Sequence, residues 1–409
     1  MAQWLTLAQR NVMRNGRRSL LLAGTIAVGT LALLLFIAYI AAGLDGLKES
    51  TIRSGLGHAQ LGAPAQFDGY AEQQLQFGLE RADLTRLETV LGQESHVHRI
   101  VPRLLFSGLV SNGPRTLNFE GTGVNPDRER QAFGAFQTLA AGVPLSSAPG
   151  ARYQALIGKE MARRLAVKPG DSITLMTTTV NGSINAMDLE VAGLVATGVP
   201  EADLYLLQLP LETAQELLRT SKISTVTVLY DDTDQATIVS DRLQQRLGPH
   251  TQLKTWQQLA PLYAQVLALY RNQFVVFGII IGIIVFLGVA TMTLTTIYER
   301  AREIGTLRAM GISHVAIRRL FVYEGMLQGW LGALTGGLLA WLTTLLINAA
   351  RIEMAAPPGR NVGVLLNLMW VPAYSAAIMC ALPLIAMLAS WTISRRISRM
   401  PITQTLSMN

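Results

Sequence analysis

Four long segments without a charged residue constrain this chain of 409 residues more than any other feature. They cover residues 20–44, 274–298, 326–350 and 368–393, so each has at least 25 residues. About 20 residues of α-helix are enough to cross a hydrocarbon core of about 30 Å. Transmembrane β-strands are shorter and alternate in polarity. We therefore predict four membrane-spanning helices, called spans one to four.

The overall composition agrees with a membrane protein. The mean hydropathy is +0.32, and only 15% of the residues are charged, against about 25% in a typical soluble domain. This balance excludes a fully soluble protein and a disordered one. Span one is longer than the apolar core of a signal peptide, which has about 7–15 residues. We therefore expect span one to remain as an anchor.

The distribution of basic residues predicts the orientation. The segments before span one, between spans two and three, and after span four together carry 12 basic and 3 acidic residues. Residues 45–273 carry 20 basic and 23 acidic residues. Because basic residues favour the cytoplasmic side, we expect both termini inside and residues 45–273 outside. The net charge of +7 is then a topology signal, and no nucleic-acid partner is expected.

The predicted fold class is a membrane protein with four transmembrane α-helices, one before and three after a large extracytoplasmic α+β domain. The domain resembles an α/β porter-like domain with a β-rich insert, and the dipeptide Asn181-Gly182 marks a hairpin within that insert. The predicted organisation is an N-terminal cytoplasmic segment 1–19, span one 20–44, the extracytoplasmic domain 45–255 with its insert at about 151–205, a stalk helix and span two 256–298, a cytoplasmic loop 299–325, span three 326–350, an external loop 351–367, span four 368–393 and a tail 394–409.

Three further patterns concern the helices. An amphipathic pattern begins at Trp256 and runs into span two, with Pro261 as a possible kink. It predicts either a rigid stalk that transmits motion or a short helix without a mechanical role. Small residues recur every four positions in span three and at Gly278 and Gly282 in span two, which allows close helix contact either within one chain or across a dimer. Pro372 and Pro383 are expected to kink span four.

The loop between spans two and three has a mixed helical pattern. Charged and apolar residues alternate at helical spacing from Glu299 onwards, and Gly311 can end a first helix. Ile304, Leu307 and Met310 add apolar side chains that a plain solvated loop does not need. This pattern predicts a helix that docks on a cytoplasmic partner.

The loop motif resembles that of the FtsX/LolC/MacB-type permeases of ABC transporters. Glu299-Arg300, Glu303-Ile304-Gly305, Leu307-Arg308-Ala309 and Gly311, followed by Glu324-Gly325, carry the resemblance. The topology of one span, a large domain and three spans extends it to the whole chain. The segment from Gly57 to Leu61 is similar to the lipoprotein-releasing branch, which is the branch we favour.

The resemblance implies a mechanism and partners. Such permeases work as dimers with a second permease subunit, identical or paralogous, and bind two copies of a separate ATPase that holds the ATP and magnesium. It implies a hydrophobic cargo such as a lipoprotein, moved from the outer leaflet of the inner membrane, with a periplasmic carrier or adaptor as a further candidate partner. The residues implied in ATPase coupling are Glu299, Arg300, Glu303, Ile304, Gly305, Leu307, Arg308 and Gly311. The residues implied in a cargo cavity, with lipid-facing or packing roles as alternatives, are Phe36, Tyr39, Phe274, Phe277 and Ile281.

Catalytic and metal motifs are missing from the sequence. It has no G-x-x-x-x-G-K-[ST], no G-x-S-x-G and no H-E-x-x-H pattern. His96 and His98 make a weak metal site without further ligands, and the Asp231, Asp232 and Asp234 turn lacks the rest of a calcium loop. We expect a non-catalytic subunit without a metal or cofactor of its own. Two other functions stay open, a MacB-like efflux permease and an FtsX-like regulator of a cell-wall hydrolase.

Overall fold

The structure is a computed structural model that describes residues 8–11, 13–14, 16–68, 76–134, 138–233, 235–248, 250–354 and 364–397. The predicted segments 1–19, 351–367 and 394–409 therefore lie partly outside the described residues, and so does Asp234. The chain divides into two compact units. We call residues 1–45, 265–353 and 365–409 the membrane unit, and residues 46–264 with 354–364 the intervening domain.

The helices that the structure describes are numbered in chain order. They are α1 Gly16–Thr51, α2 Pro64–Asp68, α3 Arg81–Gly92, α4 Pro126–Phe133, α5 Lys159–Leu165, α6 Pro200–Tyr205, α7 Leu211–Leu218, α8 Ala236–Arg246, α9 Trp256–Leu259, α10 Pro261–Glu299, α11 Ala301–Ala309, α12 His314–Ala350 and α13 Pro372–Ile397. A π-helical turn, Ile52–Leu56, extends α1. A 3₁₀ turn covers Pro149–Ala151.

The strands are numbered in the same way. They are β1 Ala59–Gly62, β2 Val97–Ser111, β3 Thr116–Val124, β4 Thr138–Gly142, β5 Gln154–Gly158, β6 Ser172–Thr178, β7 Ile184–Ala196, β8 Leu206–Pro210, β9 Thr225–Tyr230, β10 Gln252–Thr255, β11 Glu353–Met354 and β12 Val364–Leu365. The last two form a separate two-stranded sheet.

Four of the described helices are long and apolar enough to cross a membrane, namely α1, α10, α12 and α13. This confirms the predicted fold class of four membrane helices with a mixed α/β domain between the first and the second. Helix α10 has 39 residues, so it is about 58 Å long. The boundary between the two units falls inside α1 and inside α10, and both helices are uninterrupted there.

Two predicted helix boundaries are wrong, and each has a local cause. The stalk is not continuous from Trp256, because Ala260 leaves the helical region with φ −117° and ψ 70° and α10 begins at Pro261. A residue before proline is disfavoured in the α region. Span four begins at Pro372 instead of residue 368. The Asn348 side chain holds Leu368 outside the helix, since it donates to the Leu368 carbonyl at 2.9 Å and accepts from its N–H at 2.8 Å.

The two prolines of span four differ in their positions. Pro372 occupies the first turn of α13, where a missing N–H disturbs no helical hydrogen bond. Pro383 lies inside the helix. The prediction of a kink at Pro372 is therefore wrong, because that proline starts the helix.

One sheet of ten strands, among the described residues, organises the intervening domain. The strand β2 has 15 residues, so it pairs with β9 through its first half and with both β3 and β6 through its second half. The pairings β2-β3-β8-β5-β7-β6-β2 close a ring of six strands. The β3–β8 and β5–β7 pairs are parallel and the other four are antiparallel.

The predicted β-rich insert is part of this ring and does not form a separate layer. The hairpin at Asn181-Gly182 is confirmed, since β6 and β7 pair from Ser172↔Glu190 to Thr178↔Ile184. The ring surrounds a core that includes Phe119, Ile157 and Leu175 and is completed by side chains of α5 and α7. A second core joins β1 and β9 to α3 and α8. These two cores are the largest hydrophobic clusters described in the domain, and smaller ones adjoin them.

Candidate functional site: the connecting helix and its supports

The segment between spans two and three folds as a short helix, α11, followed by a sharp turn. Gly311 has φ +93°, a conformation that favours glycine. Its N–H donates to the Arg308 carbonyl at 3.0 Å, and the Ile312 N–H donates to the Leu307 carbonyl at 3.1 Å. The Ser313 side chain then caps α12 by accepting from the Ala316 N–H at 3.3 Å. The structure therefore ends the first helix at the position that the sequence predicts.

The two faces of α11 have different environments. Ile304 and Gly305 are buried, and Ile304 packs in a cluster with Ile297, Ile317 and Phe321. These two of the predicted coupling residues therefore lie on the buried face of α11, and their part in coupling stays a prediction. The outward face carries a different set and continues into Met310, which directly follows the helix and is 67% exposed. Its exposed members are Arg302, Glu303, Thr306, Ala309 and Met310, with Leu307 and Arg308 half-buried beside them.

A polar cluster fixes the base of this helix. Glu324 is 8% exposed, and its carboxylate accepts from Asn11 Nδ2 at 2.7 Å and from Arg300 Nη1 at 3.5 Å. Arg300 also donates from Nε to Glu303 Oε2 at 2.9 Å. A buried carboxylate without partners would be strongly destabilising. Arg300 therefore links the start of α11 to α12, and Asn11 adds the segment that precedes α1. We call these four residues the Arg300 cluster.

Two further ion pairs join the N-terminal segment to the connecting segment. Arg18 pairs with Glu299, and Arg14 lies 3.8 Å from Glu303. All four side chains are substantially exposed, so solvent screens both pairs and they add little to stability. From the sequence, Arg14 and Arg18 were only orientation signals, because no local pattern indicates partners some 280 residues away.

The small residues of span three pack within the chain. An added Cβ at Gly329 would lie 2.8 Å from Pro383 of α13, and one at Gly332 would lie 2.6 Å from Ile26 of α1. The intrachain alternative is therefore confirmed for this span. In span two, an added Cβ at Gly278 would meet no described atom within 4 Å. The Gly278 side of α10 is thus open in the described part of the chain.

The structure brings together four of the five predicted cavity residues. Phe36 stacks on Phe274 with ring centroids 6.5 Å apart and meets Phe277 edge-on at 4.9 Å. Ile281 packs in the apolar cluster of the membrane unit. Tyr39 is 44% exposed and, within the described part of the chain, its ring contacts none of these aromatic side chains.

An open apolar groove of about 520 Å³ lies next to these aromatic rings. Phe274 is the only one of the five predicted residues that lines it. Gly278 and Gly282, for which the sequence analysis predicted close helix contact, also line the groove. The lining residues are Phe274, Val275, Gly278, Ile279, Gly282, Ile283, Phe286, Leu287 and Ile385.

The segment after α1 that resembled the lipoprotein-releasing branch has a structural role. His58 is 3% exposed. Its Nδ1 accepts from the Tyr230 N–H at 3.1 Å, so Nε2 carries the proton and donates to Thr233 Oγ1 at 2.8 Å. Burial lowers the pKa of His58 to about 4. The side chain is therefore neutral at physiological pH.

Of the weak metal candidates, the structure describes His96, His98, Asp231 and Asp232. Among the residues that the structure describes, there is no group of three or more His, Cys, Asp or Glu side chains that can hold a metal ion. His98 Nδ1 lies 3.1 Å from Asp231 Oδ1, in an exposed pair. The pair is an ordinary surface contact.

Two family models together cover most of the chain. Residues 19–246 match the model described as the MacB-like periplasmic core domain. Residues 275–402 match the model described as the FtsX-like permease C-terminal region. The first match begins in α1 and ends at the last residue of α8, and the second contains most of α10 and the whole of α11 and α12.

Curated relatives have related names at modest identity. The lipoprotein-releasing system transmembrane protein LolC of Xylella fastidiosa is 29% identical over 223 residues, which cover 52% of this chain and 53% of LolC. LolE of Haemophilus influenzae, from a system of the same name, is 24% identical over 268 residues, 63% of each chain. The match to LolC thus spans about half the length of that relative.

Two solved extracytoplasmic domains of transporters align with this chain at low TM-scores. The extracellular domain of the noncanonical ABC-type transporter YknZ from Gram-positive bacteria is 15% identical, with a TM-score of 0.35, over 48% of this chain and 98% of that chain. The periplasmic region of MacB from Actinobacillus actinomycetemcomitans is 13% identical, with a TM-score of 0.36, over 52% of this chain and 94% of that chain. The MacB-type sequence match alone covers more than half of the 409 residues, so the chain belongs to the family of FtsX/LolC/MacB-type ABC transporter permeases.

Proposed function

We propose that this permease couples ATP hydrolysis on a separate ATPase subunit to the release of lipoprotein from the outer leaflet of the bacterial inner membrane. The observation that carries the proposal is α11, whose inner face is fixed by Ile304 and by the contact of Arg300 with Glu324 while Arg302 and Met310 stay exposed. If a partner displaces a helix held in this way, the displacement is transmitted to α10 and α12. The names of the LolC and LolE relatives support lipoprotein as the cargo.

The proposed orientation follows from the charges. The segments at the α11 end of the spans are basic, which favours the cytoplasmic side. The intervening domain would then be periplasmic, as the name of the matching family model suggests. The proposed complex contains two ATPase copies, which hold the ATP and magnesium, and a second permease subunit. This chain would carry no cofactor and no catalytic residue.

The test uses the full complex in nanodiscs. The double variant Glu303→Ala/Leu307→Ala removes an exposed carboxylate and a half-buried apolar side chain from the outward face of α11. We expect it to lose the co-purified ATPase. The matched control is Ile352→Ala/Glu353→Ala, which removes the same kinds of side chain from an exposed site just after α12. Equal ATPase recovery from both variants would show that α11 is not the docking helix.

The identity of the bound proteins separates the remaining functions. Mass spectrometry of the wild-type complex is expected to find acylated lipoprotein. A periplasmic adaptor without lipoprotein would instead support efflux, to which the MacB-like match of residues 19–246 gives some weight. A bound cell-wall hydrolase would support a regulatory role of the FtsX kind.

A further inference from the structure

The end of α1 inside the intervening domain is held by an unusual set of contacts. The π-helical turn Ile52–Leu56 closes α1, and Gly55 and Gly57 have φ values of +120° and +70°. The last carbonyl groups of a helix have no partner within it. Here the Gly55 carbonyl accepts from Arg103 Nη1, across 48 residues of sequence.

The guanidinium of Arg103 is buried and neutralised by one carboxylate. The Arg103 and Glu129 side chains are only 9% and 6% exposed. Arg103 Nε donates to Glu129 Oε2 at 3.2 Å, and Nη2 donates to Glu129 Oε1. The Arg103 Cζ atom also lies 4.5 Å from the centre of the Phe133 ring. One side chain of β2 therefore connects the end of α1 to both Glu129 and Phe133 of α4.

The segment that leads into α10 packs against this end of α1. Ile52 and Leu56 pack in one apolar cluster with Trp256 and Tyr263. The Trp256 and Tyr263 rings meet edge-on at 4.7 Å. The Trp256 N–H donates to the His58 carbonyl at 3.0 Å. The end of α1 and the start of the path into span two are therefore fixed to each other within this domain.

We infer that Arg103, Glu129 and Gly55 form a rigid joint that fixes the end of α1 within the intervening domain, so that Arg103 is a positioning residue for ATP-driven release. The inference rests on the proposed function. A planar guanidinium suits this role because its fork engages a carboxylate with two N–H groups and still has a donor for a third acceptor. A lysine keeps the charge but cannot make these three contacts together.

The test separates coupling from stability. In the reconstituted complex, we measure lipoprotein released per ATP hydrolysed for the wild type, Arg103→Lys and Glu94→Gln. Glu94 is the matched control, since its 6%-exposed carboxylate also pairs with arginines, Arg242 and Arg246, but not at the end of α1. Substitutions along a coupling path change the coupling between two sites about 2- to 30-fold, and here that coupling is measured as lipoprotein released per ATP. We expect a loss of that size for Arg103→Lys and no loss for Glu94→Gln.

A second readout reports the joint without transport. Cys380 is the only cysteine of the sequence, so a Cys380→Ser background allows spin labels at positions 46 and 85, both exposed and both within the intervening domain. The wild type should give one narrow distance distribution that is the same with and without nucleotide. Arg103→Lys should broaden it.

The outcomes are distinguishable. An equally narrow distribution in Arg103→Lys, together with unchanged release per ATP, overturns the joint. A wild-type complex that releases no lipoprotein contradicts the proposed function, while the distance measurement still decides whether the joint is rigid.

Discussion

Removing the Arg103 guanidinium should destabilise the intervening domain strongly. In Arg103→Met, the Glu129 carboxylate stays 6% exposed without its counterion, and the Gly55 carbonyl loses its donor. Removing one partner of a buried ion pair costs about 3–5 kcal/mol. For a domain of this size, each kcal/mol lowers Tm by about 2–4 °C. We therefore expect the Tm of the intervening domain in the full chain to fall by about 10 °C.

The double variant gives the sharper comparison. Arg103→Met/Glu129→Leu removes both charges and fills their space with apolar atoms, so most of the lost stability should return. The Gly55 carbonyl remains unpaired, which leaves a deficit of about 1–3 kcal/mol. The assay is thermal unfolding in nanodiscs, followed by intrinsic tryptophan fluorescence, because Trp256 lies in the adjoining cluster.

A matched surface pair serves as the control. Arg152 and Glu216 are 2.9 Å apart but 48% and 43% exposed, so Arg152→Met should cost no more than about 1 kcal/mol. The reasoning is refuted if Arg103→Met shifts Tm no more than Arg152→Met does. It is also refuted if the double variant is less stable than the single one.

Three further predictions follow from other contacts. Gly332→Ala should lower Tm, because its Cβ would lie 2.6 Å from Ile26, whereas Gly278→Ala should raise it slightly through a helix propensity gain of about 1 kcal/mol; equal shifts in thermal unfolding would contradict the packing. The pKa of His58 in the folded chain is lowered to about 4, so the unfolded chain takes up a proton on His58 at a higher pH than the folded chain does. Tm should therefore fall as the pH drops from about 6.5 to about 4. His58→Asn should flatten this pH dependence of Tm, and an unchanged profile would exclude His58 as its source. Glu324→Leu should destabilise the chain by about 1–3 kcal/mol more than Glu324→Gln, since the amide still offers an acceptor to Asn11 and Arg300; the same Tm for both variants would argue against the Arg300 cluster.

Hydropathy alone predicted the number of spans, because apolar helices must be long and continuous in a bilayer. It could not place their ends. The start of α13 depends on the Asn348 side chain and its two bonds to Leu368. The break before α10 depends on the geometry at Ala260-Pro261. Both are effects of single residues, and a hydropathy value averaged over about 20 positions does not report them.

The sheet shows the same limit on a larger scale. The hairpin at Asn181-Gly182 was predictable because its turn is local. The ring that joins β3 to β8 in parallel links residues more than 80 positions apart, and no turn motif encodes such a pairing.

The candidate site was only partly visible in the sequence. The turn at Gly311 and the helix before it were predicted from spacing. The burial of Ile304 was not, since its partners Ile297, Ile317 and Phe321 belong to neighbouring helices. The role of Arg103 could not be predicted, because its partners Gly55 and Glu129 lie 48 and 26 residues away.

The central claim is that α11 passes the energy of ATP hydrolysis to the release of lipoprotein. The most direct measurement is lipoprotein released per ATP hydrolysed by the complex in nanodiscs, for the wild type, Met310→Ala and Ile352→Ala. Met310 is 67% exposed on the outward face of α11, and Ile352 is 45% exposed away from it. We predict a lower ratio for Met310→Ala and an unchanged ratio for Ile352→Ala. The same ratio for all three, with the ATPase bound and active, would contradict the claim.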